Sequence, residues 1–225
     1  MSPITPFAMS PTISPHLSAR TLSRRAASVA LIAAPYLWLG NRTQAQAQAA
    51  RQLTPSQTEG PFYPVKLPKD ADYDLLRNGT QSYTAGQAVW VQGNVTDIEG
   101  KPVVGAQVEI WQADHAGHYD HPGDGSRADP AFQGFGRVVA GADGSYRFRT
   151  IRPVPYTGRA PHIHFKVKLG ARELLTTQLY VEGEPGNARD GIWRRMGEAE
   201  RAAVTAAFKP GSDGLLAQFP IVVRA

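Results

Sequence analysis

Pro155-Tyr156-Thr157-Gly158-Arg159-Ala160-Pro161-His162-Ile163-His164-Phe165-Lys166-Val167 is the stretch from which the fold can be read. Beyond the second histidine, apolar Phe165 and Val167 alternate with Lys166 and Lys168, the period of a β-strand. Residues i and i+2 of a strand point to one face with Cα atoms roughly 6.6 Å apart, so the imidazoles of His162 and His164 can converge on one ion. A His-x-His pair also occurs as two half-buried histidines of an ordinary sheet. What sets this one apart is its company: Tyr156 stands upstream in a Pro-Tyr-Thr-Gly turn, and Arg159 lies between the phenol and the first imidazole. A core has no need of a phenol, a cation and two imidazoles within nine positions.

Outward from this strand the alternation recurs. Ala88–Asp97 carries Val89, Val91 and Val95, turns at Glu99-Gly100-Lys101-Pro102, and is followed by a second run over Gln107–Gln112, predicting a hairpin or a sandwich pair. Ser145–Thr150, Leu174–Glu182 with Gln178 inside it, and Leu215–Arg224 read as further strands. Between Gly117 and Gly136 lies a long Gly-, Asp- and Pro-rich loop, and loops of that length in a compact domain usually carry function. Glu198–Phe208, alanine-rich and free of Gly and Pro, is the convincing helix. Short strands with frequent turns and one late helix predict an all-β fold: an antiparallel β-sandwich with long active-site loops. Gln52–Pro68, punctuated by Pro and Gly, is predicted as an irregular arm.

The 225 residues, 42% hydrophobic, suit one sandwich domain over 50–225. The absence of cysteine excludes disulfides, iron–sulfur clusters and thiolate zinc sites, so any metal has to be held by histidine, carboxylate or phenolate. The formal charge of +5 is uneven: Arg20, Arg24, Arg25 and Arg42 and no acid lie in residues 1–49, which leaves 20 bases against 19 acids elsewhere. A neutral body without a basic stripe argues against nucleic acid as a partner. Residues 1–49 read as an export signal, with Arg24-Arg25, an apolar run from Ala26 to Leu39, and small-x-small sites such as Ala45-Gln46-Ala47. Fourteen apolar residues fall short of the roughly 20 that span a bilayer. The paired arginines suggest the twin-arginine route and a periplasmic destination, although Ala27-Ser28 stands where that route usually has Phe-Leu. An ordinary secretory signal or a retained anchor fits as well.

Two imidazoles leave a metal site incomplete. Carboxylates or tyrosines have to complete it, and Tyr119, in the Gly-rich loop, and Tyr156 are the phenols at hand. A phenol titrates near pH 10, so binding as phenolate at neutral pH requires a highly charged hard cation, of which ferric iron is the common one. Zinc would be better served by a third histidine or a carboxylate, which this segment lacks.

With Pro155-Tyr156, Arg159 and Pro161-His162-Ile163-His164-Phe165, the chain resembles the iron-binding segment of the intradiol ring-cleavage dioxygenases. The likeness extends to Val91-x-Gly93-x-Val95, Val108-Glu109-Ile110-Trp111-Gln112-Ala113 and Gly117-x-Tyr119, and to Gly144-x-Tyr146-x-Phe148-x-Thr150-Ile151-x-Pro153. Thr58-Glu59-Gly60-Pro61-Phe62-Tyr63 is similar to the family's arm over the active site, and Gln178 matches a glutamine near its iron. The resemblance covers about Gln52 to Arg224. It implies Fe(III) held by Tyr119, Tyr156, His162 and His164, with Arg159 and Gln178 as catalytic residues and Pro61, Phe62 and Tyr63 against the substrate. It further implies a catechol-type diol and O2 as partners, a cis,cis-muconate-type diacid as product, release of Tyr156 when the diol binds, and no membrane contact once the signal is gone. The chain departs from the family's protocatechuate enzymes in having only Thr157-Gly158 between Tyr156 and Arg159, which implies a more open pocket there. The stretch from Gly93 to Val108 alone is also the signature of transthyretin-like sandwich modules that bind without catalysis, the alternative function. His115, His118 and His121 are predicted to be solvated loop histidines, and Trp90, Trp111 and Phe148 to be core.

Overall fold

A computed structural model describes residues 51–225, and the export signal expected over residues 1–49 lies outside them. Among the described residues the chain forms strands β1 (Arg77–Asn78), β2 (Gln81–Ser82), β3 (Ala88–Thr96), β4 (Gln107–Trp111), β5 (Phe135–Val139), β6 (Ser145–Ile151), β7 (His162–Leu169), β8 (Arg172–Val181), β9 (Thr205–Ala206), β10 (Phe208–Gly211), β11 (Gly214–Gln218) and β12 (Ile221–Val222). One short α-helix, α1 (Glu198–Ala203), precedes β9. The first sheet runs β10-β11-β3-β12 with β6 also on β3, and the second runs β5-β4-β7-β8-β9.

Alternation decides what each sheet buries. Val89 and Val91 of β3 and Phe148 of β6 meet Val108 and Ile110 of β4 and Ile163, Phe165 and Val167 of β7 in one core. Phe165 lies 4.9 Å from Phe219 and 6.0 Å from Tyr146, ring to ring. Full burial of each such aliphatic or aromatic side chain contributes about 1.5–3 kcal/mol. The expected sandwich forms, with most pairings antiparallel and three parallel: β11 and β12 on β3, and β9 on β8.

Several elements differ from the sequence reading. β3 and β4 are a sandwich pair, in different sheets, and not a hairpin. The loop from Gly117 ends early because Phe135–Val139 pairs with β4; Gly136 breaks the alternation there, and a Cβ at that position would run into Leu75 and the Asp72 carbonyl. The expected helix over Glu198–Phe208 stops at Ala203, since the exposed backbone edge of β8 captures the next three residues: Tyr180 N donates to Val204 O at 2.8 Å and Glu182 N to Ala206 O at 2.9 Å. The closing strand is split into β11 and β12 around Pro220, which has no N–H to give a ladder.

One consequence of β7's register positions everything functional. Its second face carries His162, His164 and Lys166, and it is not solvated: the arm crosses it, with Gln57 N donating to Thr176 O at 2.8 Å and the Thr177 hydroxyl to Pro55 O at 2.8 Å. Lys166 is left only 5% exposed.

Candidate metal centre

The i, i+2 spacing on β7 brings His162 Nε2 and His164 Nε2 to 3.1 Å from each other, both rings fully buried. His162 Nδ1 lies 2.6 Å from Ala160 O, and since a carbonyl can only accept, the proton sits on Nδ1 and Nε2 keeps its lone pair. Burial, reinforced by the nearby Arg159 guanidinium, pushes His162 down to about 3. His164 is likewise held well below the usual imidazole range by burial, then by His162 and Arg159. Both rings are therefore neutral bases near pH 7, the form in which imidazole binds a metal. Two nitrogens each about 2.0–2.1 Å from one ion stand about 3 Å apart when they subtend a near-right angle, so the observed spacing fits a shared ion.

The phenols come from distant segments. Tyr119 enters from the loop after β4, and Tyr156 from a two-residue turn closed by Arg159 N to Tyr156 O at 2.8 Å, with Gly158 at φ +76°. Their rings complete a closed circuit with the imidazoles: Tyr119 to Tyr156 5.3 Å, Tyr156 to His162 5.4 Å, His162 to His164 4.7 Å, His164 to Tyr119 6.0 Å. The Tyr119 hydroxyl is buried there without a hydrogen-bond partner. Burial, with Tyr156 beside it, pushes that phenol well above its ordinary value, so only a cation in contact with its oxygen would hold it ionised. Among the described residues no three His, Cys, Asp or Glu side chains converge, so an ion between these imidazoles would take its other protein ligands from phenol oxygens. A buried phenol oxygen beside two facing imidazole nitrogens, of which His162 Nε2 keeps its lone pair, is a donor set that fits a hard, highly charged ion.

Around this circuit stands a polar layer. Arg159 donates through Nε to Asp190 at 2.7 Å, through Nη2 to Gln178 Oε1 at 2.5 Å and the Tyr180 hydroxyl at 3.2 Å, and through Nη1 to the Tyr156 oxygen at 3.4 Å. Gln178 and Tyr180 belong to β8 and lie in register with His164 and His162. On the other side Trp111, opposite His164 on β4, stacks on its ring at 4.7 Å and 9°.

The arm lies over the site. Gly60, at φ +74°, passes so near that a Cβ would sit 3.4 Å from His164 Cε1. Phe62 stacks on Tyr119 at 4.6 Å and stands edge-on to Tyr156 at 6.1 Å. Tyr63 gives its hydroxyl to the buried Glu109 at 2.8 Å and packs against Trp111, while Pro61 is exposed at the bend. Glu59 pairs with Lys166. A cleft of about 420 Å³ opens beside Tyr156, Gly158 and Arg159, bounded by Gly186, Arg189 and Asp190.

The structure thus brings together all four candidate ligands, Arg159, Gln178 and Phe62. Sequence reasoning missed Asp190, Tyr180 and Glu109, and read Trp111 as plain core. Register against the histidines would have exposed Trp111 and Tyr180, but Asp190 sits in an aperiodic Gly- and Arg-rich segment that carries no signal. His118 and His121 serve the loop: His118 faces Asp124 at 3.5 Å and His121 Nδ1 accepts from Gly123 N at 2.9 Å.

A family model described as "Dioxygenase" matches residues 58–223. The protocatechuate 3,4-dioxygenase beta chain of Burkholderia cepacia is 38% identical over 181 residues, 73% of this chain and 76% of that one. This chain belongs to the intradiol ring-cleavage dioxygenases. A hydroxyquinol 1,2-dioxygenase of Nocardioides simplex is 32% identical over 164 residues, where the match spans 65% of this chain and only 53% of the relative. The dioxygenase domain of a dioxygenase carbohydrate-binding protein fusion from Streptomyces sp. SirexAA-E superposes with a TM-score of 0.61 at 34% identity, covering 76% of this chain and 97% of that one. The membership makes this an enzyme of the intradiol dioxygenase class.

Proposed function

We propose that the protein opens a catechol-type ring between its two hydroxylated carbons with O2, giving a cis,cis-muconate-type diacid, with Fe(III) held by Tyr119, Tyr156, His162 and His164. The closed circuit of two phenols and two neutral imidazoles carries this reading. Bound there, Fe(III) would supply the Lewis acidity that lets an ortho-diol bind as its dianion and draws electron density out of the ring.

The chain's own residues do the rest. Of the protons that an ortho-diol would shed on binding, one would go to Tyr156, the phenol oxygen placed at the cleft to take it, and the other to solvent. Tyr156 stands on a tight turn at the cleft, half-buried, with a pKa raised by burial but held back by Arg159, whereas Tyr119 is enclosed. Arg159, always charged, faces the electron-rich ring, and Gln178 fixes the guanidinium's tilt. Phe62 forms the aromatic wall over the substrate, and Tyr63, spent on Glu109, braces that wall beside Pro61. The 420 Å³ cleft leaves room for a ring substituent on the Tyr156 side. Residues 1–49 would deliver the enzyme to the periplasm, which cell fractionation tests.

The deciding experiment is an oxygen electrode with a panel of catechols, followed by product analysis. Oxygen uptake with a ring-opened diacid and a coloured, iron-loaded protein is expected. A colourless zinc protein that binds catechols without consuming oxygen would overturn the proposal in favour of a sandwich binding module.

A further inference from the structure

Asp190 is 1% exposed, and both its oxygens are fully engaged. Oδ2 accepts from Arg159 Nε at 2.7 Å and from the Ala160 amide at 3.0 Å, while Oδ1 accepts from the amides of Ile192 at 2.9 Å and Trp193 at 3.1 Å. Four donors converge on one carboxylate. An amide in its place would point an NH2 at N–H groups whichever way it turned, so the position demands a carboxylate on hydrogen-bonding grounds alone.

Two lines run from it to the site. A guanidinium is planar, so fixing Nε on Asp190 and Nη2 on Gln178 also fixes Nη1, which then faces the Tyr156 oxygen at 3.4 Å. The second line passes through one residue: Asp190 holds the Ala160 N–H, and the Ala160 carbonyl takes the Nδ1 proton of His162. The orienting partner of a ligating imidazole sets which nitrogen is free and where the ring points. A loop residue 30 positions beyond Ala160 and 31 beyond Arg159 is thus the anchor of both.

We infer that Asp190 is the positioning residue of this centre, aiming Arg159 and, through Ala160, holding His162 in its ligating tautomer. The inference rests on the proposed ring-cleaving function for its kinetic half and on the geometry alone for its spectroscopic half.

The test uses the iron-loaded full chain as wild type, Asp190→Asn, Arg159→Lys and the double variant. For Asp190→Asn, kcat should fall by about a hundredfold with KM nearly unchanged, the size of effect that misplacing an oriented group produces. The phenolate-to-metal visible band should shift, because the imidazole behind it has lost its anchor. Since Asp190 acts through Arg159 in the chemical step, the double variant should be no slower than the slower single one. Should Asp190→Asn prove insoluble, Asp190→Glu, which keeps the charge but displaces it by a methylene, replaces it under the same expectations. Unchanged kcat and band with only a lowered Tm, or losses that multiply in the double variant, would overturn the inference. If wild type consumes no oxygen with any catechol, the functional proposal fails, and the band alone decides the role of Asp190.

Discussion

Tyr119 carries a cost that the proposed ligand role would offset. Its hydroxyl is buried without a partner, and such a group destabilises a fold by about 1–3 kcal/mol. Tyr119→Phe should therefore raise the melting temperature of the metal-free protein by several degrees while abolishing stable iron binding and the visible colour. Tyr156→Phe, at the half-exposed turn, should leave metal-free stability nearly unchanged and alter the colour without loss of the ion. Calorimetry and absorbance on the two variants check both, and a metal-free Tyr119→Phe that melts lower would contradict the assignment. The candidate ligands, Arg159 and Gln178 were legible in the sequence: the histidines, Tyr156 and Arg159 from their close spacing as well as the family resemblance, Tyr119 and Gln178 chiefly from the resemblance. Asp190 was not: its meaning comes from joining two amides of its own loop to the distant Arg159-Ala160 pair, and nothing in Asn187-Ala188-Arg189-Asp190-Gly191 points to that partner.

At the scale of elements, the arm over β7 is the piece most open to perturbation. Glu59 is 43% exposed at its side chain, so its pair with Lys166 is worth at most about 1 kcal/mol. Glu59→Gln should accelerate amide hydrogen exchange across Gly60–Tyr63 by about fivefold or less, leaving the β7 amides protected. Equal acceleration in arm and strand would mean the pair supports the sheet and not the arm. The long strands were legible because their alternation is strong: β3, β6, β7 and β8 lie within two residues or so of the sequence reading. The failures were tertiary. Phe-Gly-Arg-Val-Val shows no period yet becomes β5 by docking on β4, and an alanine-rich run loses its second half because the edge of β8 offers hydrogen bonds that a helix end cannot match.

Across the molecule, tyrosines dominate the response to alkali. Tyr63, Tyr83, Tyr119, Tyr146, Tyr156 and Tyr180 are all raised above the usual phenolic range, in each case chiefly by burial, and Tyr63 reaches about 12 with the Glu109 carboxylate adding to the rise. A folded chain that keeps its phenols protonated while the unfolded chain loses them near pH 10 binds more protons, so stability is full below pH 10 and is lost as pH climbs toward 12. Metal-free protein should show phenolate absorbance lagging behind free tyrosine and then appearing together with unfolding. Most phenols titrating near pH 10 in still-folded protein would refute this.

The arm that Gly60 carries across His164, and Phe62 across Tyr119, has a kinetic corollary. It roofs the ring of donors on the face away from the Tyr156 cleft, so exchange of an ion through that face would require the roof to lift. Removal by a chelator should then proceed at a rate that stops depending on chelator concentration once the chelator is in excess, and the plateau should rise in Glu59→Gln. How fast the protein trades its ion would be written in the hinge of a peptide strap, not in the strength of the bonds beneath it.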